Sequence, residues 1–346
     1  MKLIIQIPCF NEEHTLPQTY RDLPRKIEGI DEIEVMIIDD GSTDDTVRVA
    51  RDLGVDHIIR HSGNRGLAAT FATGVRACLQ RNADIIVNTD GDNQYRGEDI
   101  RVLVQPLLAG EASVVVGDRR TAAIPHFSPL KRLLQRYGSL VVRKLSGAPL
   151  QDAVSGFRAF TRDAAMQLNI VTSFSYTIET LIQAGAKGLP ITSVPVRVNP
   201  KTRESRLFTS IRQFICRQLV TMFRSYLMYH PARVFLALSG LLLCGGLASV
   251  AGLALGLPQT STSQMATIVA SAAFFALALN CGMMFLMADL QRNNRRLIEM
   301  TLETVRQLEC GDLPSQFLTT PPAVFNRPDH RRNKRRPGHG SEIVGA

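Results

Sequence analysis

Two uncharged apolar runs in the second half of this 346-residue chain restrict its fold more than any other feature. They cover residues 234–257 and 266–288, and a short polar turn separates them. At ~1.5 Å per residue, a helix over the first run reaches about 36 Å, enough to cross a hydrocarbon core of ~30 Å. Neither run has a polar face, which argues against two buried core helices. The runs therefore predict a pair of transmembrane helices that places the chain in a lipid bilayer.

The charge pattern predicts the orientation of this pair. Residues 1–204 hold 25 Lys and Arg against 24 Asp and Glu, so the basic excess of the chain lies in its second half. Arg233 precedes the first run and Arg292 follows the second, whereas the turn between them is uncharged. Basic flanks stay on the cytoplasmic side. We expect a multi-pass protein of the cytoplasmic (inner) membrane, with both termini and the N-terminal domain in the cytoplasm.

The same features divide the chain into five predicted segments. They are a globular domain (1–203), amphipathic juxtamembrane helices (204–232), the transmembrane hairpin (233–289), a cytoplasmic helix (290–310) and a disordered basic tail (311–346). We expect the helix at 290–310 to be solvated, and self-association into a homo-oligomer through it is the alternative. The tail has too few apolar residues to fold alone. It favours contact with anionic lipid, and nothing else indicates specific binding of nucleic acid.

Strand-like and helix-like patterns alternate five times within the first 120 residues or so. Short β-branched runs at 3–8, 33–38, 56–59, 83–87 and 112–116 are each followed by a polar loop, and most of these loops lead into a helix-like segment. This alternation predicts an α/β domain with a doubly wound, mostly parallel sheet and helices on both faces. Ligands of such sheets bind outside the carboxyl ends of the strands.

Polar loops are expected at that edge, and the loop after the fourth strand carries the clearest chemistry. Asp90 and Asp92 lie one residue apart, Gly91 lets the backbone come close, and Gln94 adds an amide oxygen. Mg²⁺ and Mn²⁺ take one or two carboxylates together with substrate phosphates, so the loop predicts a metal-bound diphosphate. The alternative is an ordinary surface turn rich in Asp, Asn and Gly. No P-loop and no G-x-G-x-x-G is present, which disfavours P-loop NTPases and dinucleotide oxidoreductases.

Four motifs in chain order resemble the inverting family 2 glycosyltransferases of the GT-A fold. They are IPCFNEE at 7–13, DDGSTD at 39–44, NRG at 64–66 and DGD at 90–92. Further downstream, DAVSGFR at 152–158, RESR at 203–206 and the two apolar runs resemble the polyprenol-phosphate branch, which includes dolichol-phosphate mannosyltransferase and its bacterial relatives. The resemblance covers about residues 3–290, and it implies a Rossmann-like GT-A catalytic domain.

The resemblance implies a donor site for a UDP- or GDP-linked sugar. Pro8, Phe10 and Glu12 would flank the base and ribose, and Asp40, next to Asp39, would accept a base N–H. Asp90 and Gly91 would lie against the ribose and diphosphate. The metal, Mg²⁺ or Mn²⁺, would be held by Asp92 and Gln94.

The resemblance also implies residues for the acceptor and the leaving group. Arg119 and Arg132 would meet phosphate of the donor or the acceptor, and Ser155 and Arg158 would shape the acceptor loop. Asp152 lies where the family carries an active-site carboxylate, with its role left open. Arg203 or Arg206 would contact the leaving diphosphate. The predicted catalytic set is Asp92, Asp152, Arg119, Arg203 and Arg206.

The expected reaction is transfer of a sugar, with inversion, from the nucleotide to undecaprenyl or dolichyl phosphate. The acceptor phosphate is already anionic near neutral pH and needs little help from a general base. One alternative is a family 2 enzyme that acts on the hydroxyl of a lipid or lipid-linked saccharide, which would need a true base. The other is an inactive, membrane-tethered nucleotide-binding scaffold. The sequence leaves the identity of the sugar open.

Overall fold

The computed structural model describes residues 1–119, 152–170, 176–200, 231–257 and 260–311, together with positions 143, 147, 150, 220 and 227. Most of the predicted juxtamembrane segment and nearly all of the predicted tail lie outside these residues. The strands are β1 (Lys2–Cys9), β2 (Glu32–Asp39), β3 (His57–Arg60), β4 (Ile85–Asn88), β5 (Val114–Asp118), β6 (Arg158–Thr161) and β7 (Ile191–Pro195). The helices are α1 (Leu16–Arg21), α2 (Thr46–Asp52), α3 (Leu67–Gln80), α4 (Ile100–Leu108), α5 (Arg162–Gln167), α6 (Tyr176–Ala186), α7 (Pro231–Ala254) and α8 (Ser261–Glu309).

The seven strands form one sheet in the order β3-β2-β1-β4-β6-β5-β7. All neighbouring pairs are parallel except those of β6, which runs antiparallel to both β4 and β5. The predicted mostly parallel α/β sheet is thus confirmed, with one reversed strand inside it. The pattern did not reveal β6, because it is only four residues long and begins with the buried Arg158.

The two faces of the sheet follow from the alternation of side chains along β1. Leu3, Ile5 and Ile7 face a core that includes residues of α1 and α4. Ile4 faces the other core, to which α3, α5 and α6 contribute. Successive side chains of a strand point to opposite faces, so an unbroken apolar strand needs helices on both sides. The prediction of helices on both faces is confirmed.

The start of α2 differs from a simple capping pattern. Ser42 and Thr43 suit an N-cap by residue type, but the helix begins at Thr46 after Asp45. The Ser42 hydroxyl instead accepts the backbone N–H of Asn11 at 2.9 Å. Ser42, which a local pattern would assign to the start of α2, therefore connects the loops after β1 and β2.

Helices α7 and α8 are both long and apolar enough to cross a membrane by length and composition. The Ser239 hydroxyl of α7 donates to the carbonyl of Ala278 in α8 at 2.9 Å. A Cβ at Gly246 would lie 3.2 Å from the ring of Phe275, so a small residue lets the helices approach closely.

Helix α8 continues without interruption through the residues expected to form a separate helix at 290–310. This segment is also less solvated than we expected. Arg306, near its end, donates to the carbonyls of Met166 and Leu168 in the α/β domain, and Cys310 packs against the second core. The expectation of a fully solvated helix is wrong for the face that carries these residues.

We expect Gly41→Ala to destabilise the domain more than Gly54→Ala. Both glycines have left-handed φ angles, 75° and 71°, but only at Gly41 would a Cβ meet backbone, 2.7 Å from Gly63. The backbone strain costs about 1–2 kcal/mol at either site, and the clash raises the loss at Gly41 to roughly 3 kcal/mol. Pulse proteolysis of the full chain in urea measures both values, and equal losses would contradict the close approach.

Candidate active site

The loops after β1 and β2 are joined by hydrogen bonds at the carboxyl edge of the sheet. The backbone N–H of Thr43 donates to the Asn11 side chain at 2.8 Å, and that of Glu12 donates to the Thr46 hydroxyl at 2.8 Å. The Glu12 carboxylate is buried and accepts the Thr15 hydroxyl at 2.8 Å. Phe10, in the same loop, is 37% exposed. The loop after β1 thus combines an exposed aromatic ring with a buried carboxylate.

Asp39 and Asp40 both organise the loops around them. Asp39 is fully buried, accepts the Ser42 N–H at 3.2 Å and pairs with Arg60 at 3.2 Å. Asp40 accepts the backbone N–H groups of Arg65 and Gly66, each at 2.9 Å. The motifs at 39–44 and 64–66 are therefore brought together, and Asp39 has no exposed surface.

His61 completes this arrangement, although its residue type and its neighbours in the chain form no recognisable motif. Its Nδ1 lies 2.8 Å from an Asp40 oxygen and its Nε2 lies 3.1 Å from the Thr73 hydroxyl. The ring is 7% exposed. The one sequence signal that could have identified His61 is its position directly after β3, at the edge of the sheet where ligands are expected. Both ring nitrogens already have partners inside the protein.

The carboxylate loop after β4 packs directly against the loop after β1. A Cβ at Gly91 would lie 3.0 Å from the Cys9 sulfur and 3.4 Å from the Glu12 side chain. The Thr19 hydroxyl donates to the Gly91 carbonyl at 3.1 Å, which fixes the loop from α1. Asp90 and Asp92 are both half-buried. The predicted glycine thus does allow a close backbone approach.

The residues of this loop fit a hard divalent cation. Among the described residues, no group of three or more His, Cys, Asp or Glu side chains is arranged to hold a metal. Two carboxylates on one loop are nevertheless what Mg²⁺ usually takes from a protein when substrate phosphates supply further ligands. The backbone N–H of Gln94 donates to the Asp92 carboxylate at 3.0 Å, which restrains its orientation. Oxygen donors alone, with no thiolate or imidazole among them, favour Mg²⁺ or Mn²⁺.

Arg119 and Asp152, both predicted to be catalytic, form a two-pronged ion pair. The guanidinium contacts the carboxylate at 2.6 and 2.9 Å. The Asp152 side chain is fully buried and that of Arg119 is 12% exposed. Burial alone would lower the pKa of Arg119, but the adjacent Asp152 carboxylate contributes to raising it above the ordinary value. The pair fixes a permanent cation at the end of β5.

Arg158 lies inside the domain, below the loop of residues 152–157. It is fully buried and donates to the carbonyls of Ala153, Ser155 and Thr177 at 2.9, 2.8 and 2.5 Å. Burial lowers the pKa of Arg158 to about 10, which still leaves it charged near neutral pH. The side chain has no exposed surface for a direct contact with a ligand, and its hydrogen bonds hold the loop of residues 152–157 in place.

Tyr95 links the loop of residues 152–157 to the carboxylate loop, and sequence reasoning did not single it out. Its hydroxyl accepts the N–H of Gly156 at 3.2 Å and lies 3.4 Å from the Ser155 hydroxyl. Its ring stacks on Phe157 with centroids 5.0 Å apart. A Cβ at Gly156 would lie 3.1 Å from an Asp90 oxygen, so the two loops touch. Arg132, Arg203 and Arg206 lie outside the described residues, and their predicted roles stay predictions.

Comparisons with known proteins show which family this chain belongs to. The model of the family described as glycosyl transferase family 2 matches residues 4–168. An uncharacterized protein of Methanocaldococcus jannaschii is 30% identical over 201 residues, which are 57% of this chain and 81% of that protein. The chain belongs to glycosyltransferase family 2. Another relative, the undecaprenyl-phosphate mannosyltransferase of Micrococcus luteus, is 28% identical over 57% of this chain and 83% of its own length.

The fold of this family 2 glycosyltransferase is also found in a solved structure. Glucosyl-3-phosphoglycerate synthase of Mycobacterium tuberculosis, in complex with Mn²⁺, UDP-glucose and phosphoglyceric acid, superposes with a TM-score of 0.52. The two proteins are 23% identical, and the match covers 65% of this chain and 79% of the synthase. This likeness confirms the GT-A fold.

We expect Arg158→Met to destabilise the glycosyltransferase domain by roughly 3 kcal/mol, because it leaves several buried carbonyls without donors. Arg51→Met, an exposed position at the end of α2, serves as the matched control with little change. Pulse proteolysis in urea compares the two. Normal stability of Arg158→Met together with weakened acceptor binding would instead indicate a direct contact with the acceptor.

Proposed function

We propose that this glycosyltransferase moves a sugar from a UDP- or GDP-linked donor to a polyprenyl phosphate at the cytoplasmic face of a membrane. The observation that carries the proposal is the Asp90–Asp92 loop, packed against the loop after β1 in a chain whose second half contains two apolar helices. The name of the Micrococcus luteus relative supports the choice of acceptor, since that protein is an undecaprenyl-phosphate mannosyltransferase.

The donor is assigned to the carboxyl edge of β1, β2 and β4. Phe10 offers a ring to the base. The Oδ2 atom of Asp40 accepts the Gly66 N–H at 2.9 Å, and its second lone pair suits a base N–H. Asp92 and Gln94 would hold Mg²⁺ or Mn²⁺, with Asp90 towards the ribose and diphosphate. When bound, the metal supplies neutralisation of the charge that develops on the leaving nucleoside diphosphate.

The acceptor is assigned to the side of the site formed by the loop of residues 152–157. Arg119 is a fixed cation at its rim, held there by Asp152. Both ring nitrogens of His61 are engaged by Asp40 and Thr73, so this histidine is poorly placed to act as a general base. A phosphate nucleophile is already anionic and suits such a site. A hydroxyl acceptor would require a general base within reach of its proton. We therefore favour an acceptor phosphate over an acceptor hydroxyl. In this proposal Asp152 positions Arg119.

A bilayer is the proposed partner of α7 and α8. Few residues of their most apolar windows are buried within the chain, which distinguishes them from the core helices of a soluble domain. Arg233 and Arg292 flank the hairpin on one side, so we place both termini in the cytoplasm. This puts the donor site on the side where nucleotide-sugars are made and the acceptor phosphate at the adjacent headgroups.

We expect Asp92→Asn to reduce metal-dependent transfer by about 10²-fold or more, because it removes a charged ligand from a site that must offset the diphosphate charge. Asp52→Asn, at the exposed far end of α2, removes the same charge away from the site and leaves transfer unchanged. Initial rates at saturating Mn²⁺ compare the purified variants. Full activity of Asp92→Asn would remove the metal assignment.

We expect purified full-length protein with Mn²⁺ to glycosylate polyprenyl phosphate from one nucleotide-sugar of a UDP and GDP panel. Diacylglycerol and a lipid-linked saccharide are the hydroxyl acceptors in the same panel. Thin-layer chromatography of radiolabelled lipid product distinguishes them. Product with a hydroxyl acceptor alone would replace the polyprenyl-phosphate proposal, and no product with any pair would favour an inactive scaffold.

A further inference from the structure

Helix α8 extends well past its apolar part and ends on the catalytic domain. It runs from Ser261 to Glu309 as one helix, whereas the apolar run ends at residue 288. The half-buried positions beyond that point include Arg295, Glu299 and Arg306 of the helix and Cys310 just after it, spaced four or seven residues apart. Such spacing puts them on one face of the helix. This face, called the latch below, is the part of α8 that meets the domain.

The latch holds the carboxyl end of α5 through charge. Arg306 donates to the carbonyls of Met166 and Leu168 at 2.8 and 2.9 Å. Lys187, at the end of α6, donates to the intervening carbonyl of Gln167 at 2.6 Å. The last carbonyls of a helix have no partners within it, and cations there also offset its dipole. Three consecutive carbonyls at the end of α5 thus receive two cations, one of which comes from α8.

An ion pair and apolar packing extend the contact. Glu299 of α8 lies 3.4 Å from Lys187, and both side chains are less than 20% exposed. Arg295 contacts the same Glu299 at 2.7 Å along the helix. Cys310 packs against the core on the α3 and α5 face of the sheet. Burial lowers the pKa of Arg306, since the contact removes part of the guanidinium from water.

The latch lies at the opposite edge of the sheet from the donor site. Residue 167 ends α5, which directly follows β6, and the end of β6 at Thr161 pairs with Ile85 at the beginning of β4. Asp90 and Asp92 follow the other end of β4. The length of the strands therefore separates the latch from the site, and a substitution in the latch changes no group of the site.

We propose that the latch is a positioning device that sets the height and orientation of the donor site relative to the bilayer. The proposal rests on the membrane location under the proposed function. At ~1.5 Å per residue, Glu299 and Arg306 lie about 17 and 27 Å along the helix from the end of the apolar run. A continuous helix held in lipid at one part and by three charged side chains at another fixes that spacing. A domain joined to the membrane only through the chain before α7 would lack this second connection.

The test compares wild type with Arg306→Ala in nanodiscs that contain anionic lipid. Hydrogen exchange of residues 295–309 should rise about tenfold, since hydrogen bonds to a charged group are lost, while exchange in β1 and β4 stays the same. Energy transfer from a dye at the amino terminus to acceptor dyes on the headgroups should broaden to a wider distribution of distances. The apparent KM for polyprenyl phosphate in the bilayer should rise several-fold, with the KM for the nucleotide-sugar unchanged.

Two further variants test whether the effects come from the contact of Arg306 with the domain. Arg306→Lys retains a cation and should recover part of each effect. Arg296→Ala removes an exposed arginine of the same helix outside the latch and should leave all three measurements unchanged. Unchanged exchange in Arg306→Ala would refute the latch, and faster exchange with an unchanged distance distribution would refute its positioning role. Absence of transfer in wild type would refute the proposed function while the exchange and distance measurements still decide the latch.

Discussion

The parallel register of β1 with its two neighbours is the constraint on which the site depends. Cys9 is level with Asp39 of β2, and Gln6 is level with Asn88 of β4. Three chain segments that are far apart in sequence therefore end at the same edge, and each continues into a loop with a carboxylate. The Cys9 carbonyl accepts the Asp40 N–H at 2.8 Å just beyond the ladder, so the pairing extends into the site itself. A slip of one residue in either pair would separate Glu12, Asp40 and Asp92.

Most of this edge was predictable from the sequence because the relevant signals are local. A β-branched run followed by Asp and Gly identifies both the strand and the loop, and parallel pairing then brings the loops together. Asp90, Gly91 and Asp92 lie where that argument puts them. The motifs at 7–13, 39–44, 64–66 and 90–92 meet at this edge because each lies at or just after the carboxyl end of a strand or is held by a residue that does.

Other features depend on partners distant in the chain, and no local pattern contains them. Arg158 is typical of a surface residue by type, yet it is buried because it donates to Thr177 and Thr180 of the later helix α6 as well as to carbonyls of its own preceding loop. His61 belongs to the site only through its contacts with Asp40 and Thr73, which lie in other parts of the chain. The continuity of α8 across the end of the apolar run was not predicted for a different reason. The charges after residue 288 indicate a change from an apolar to an aqueous environment. No Gly or Pro occurs between residues 283 and 310 to end the helix there.

The unbroken length of α8 has a mechanical consequence. Its 49 residues make a rod of about 74 Å, of which roughly half is apolar. A transmembrane helix adapts to a thinner or thicker bilayer by changing its tilt. If α8 crosses a bilayer as proposed and pivots near its surface, a tilt change of about 10° displaces Arg306 by roughly 5 Å. The position of the domain at its far end would then depend on the thickness of the surrounding bilayer. Membrane composition would thereby affect the enzyme.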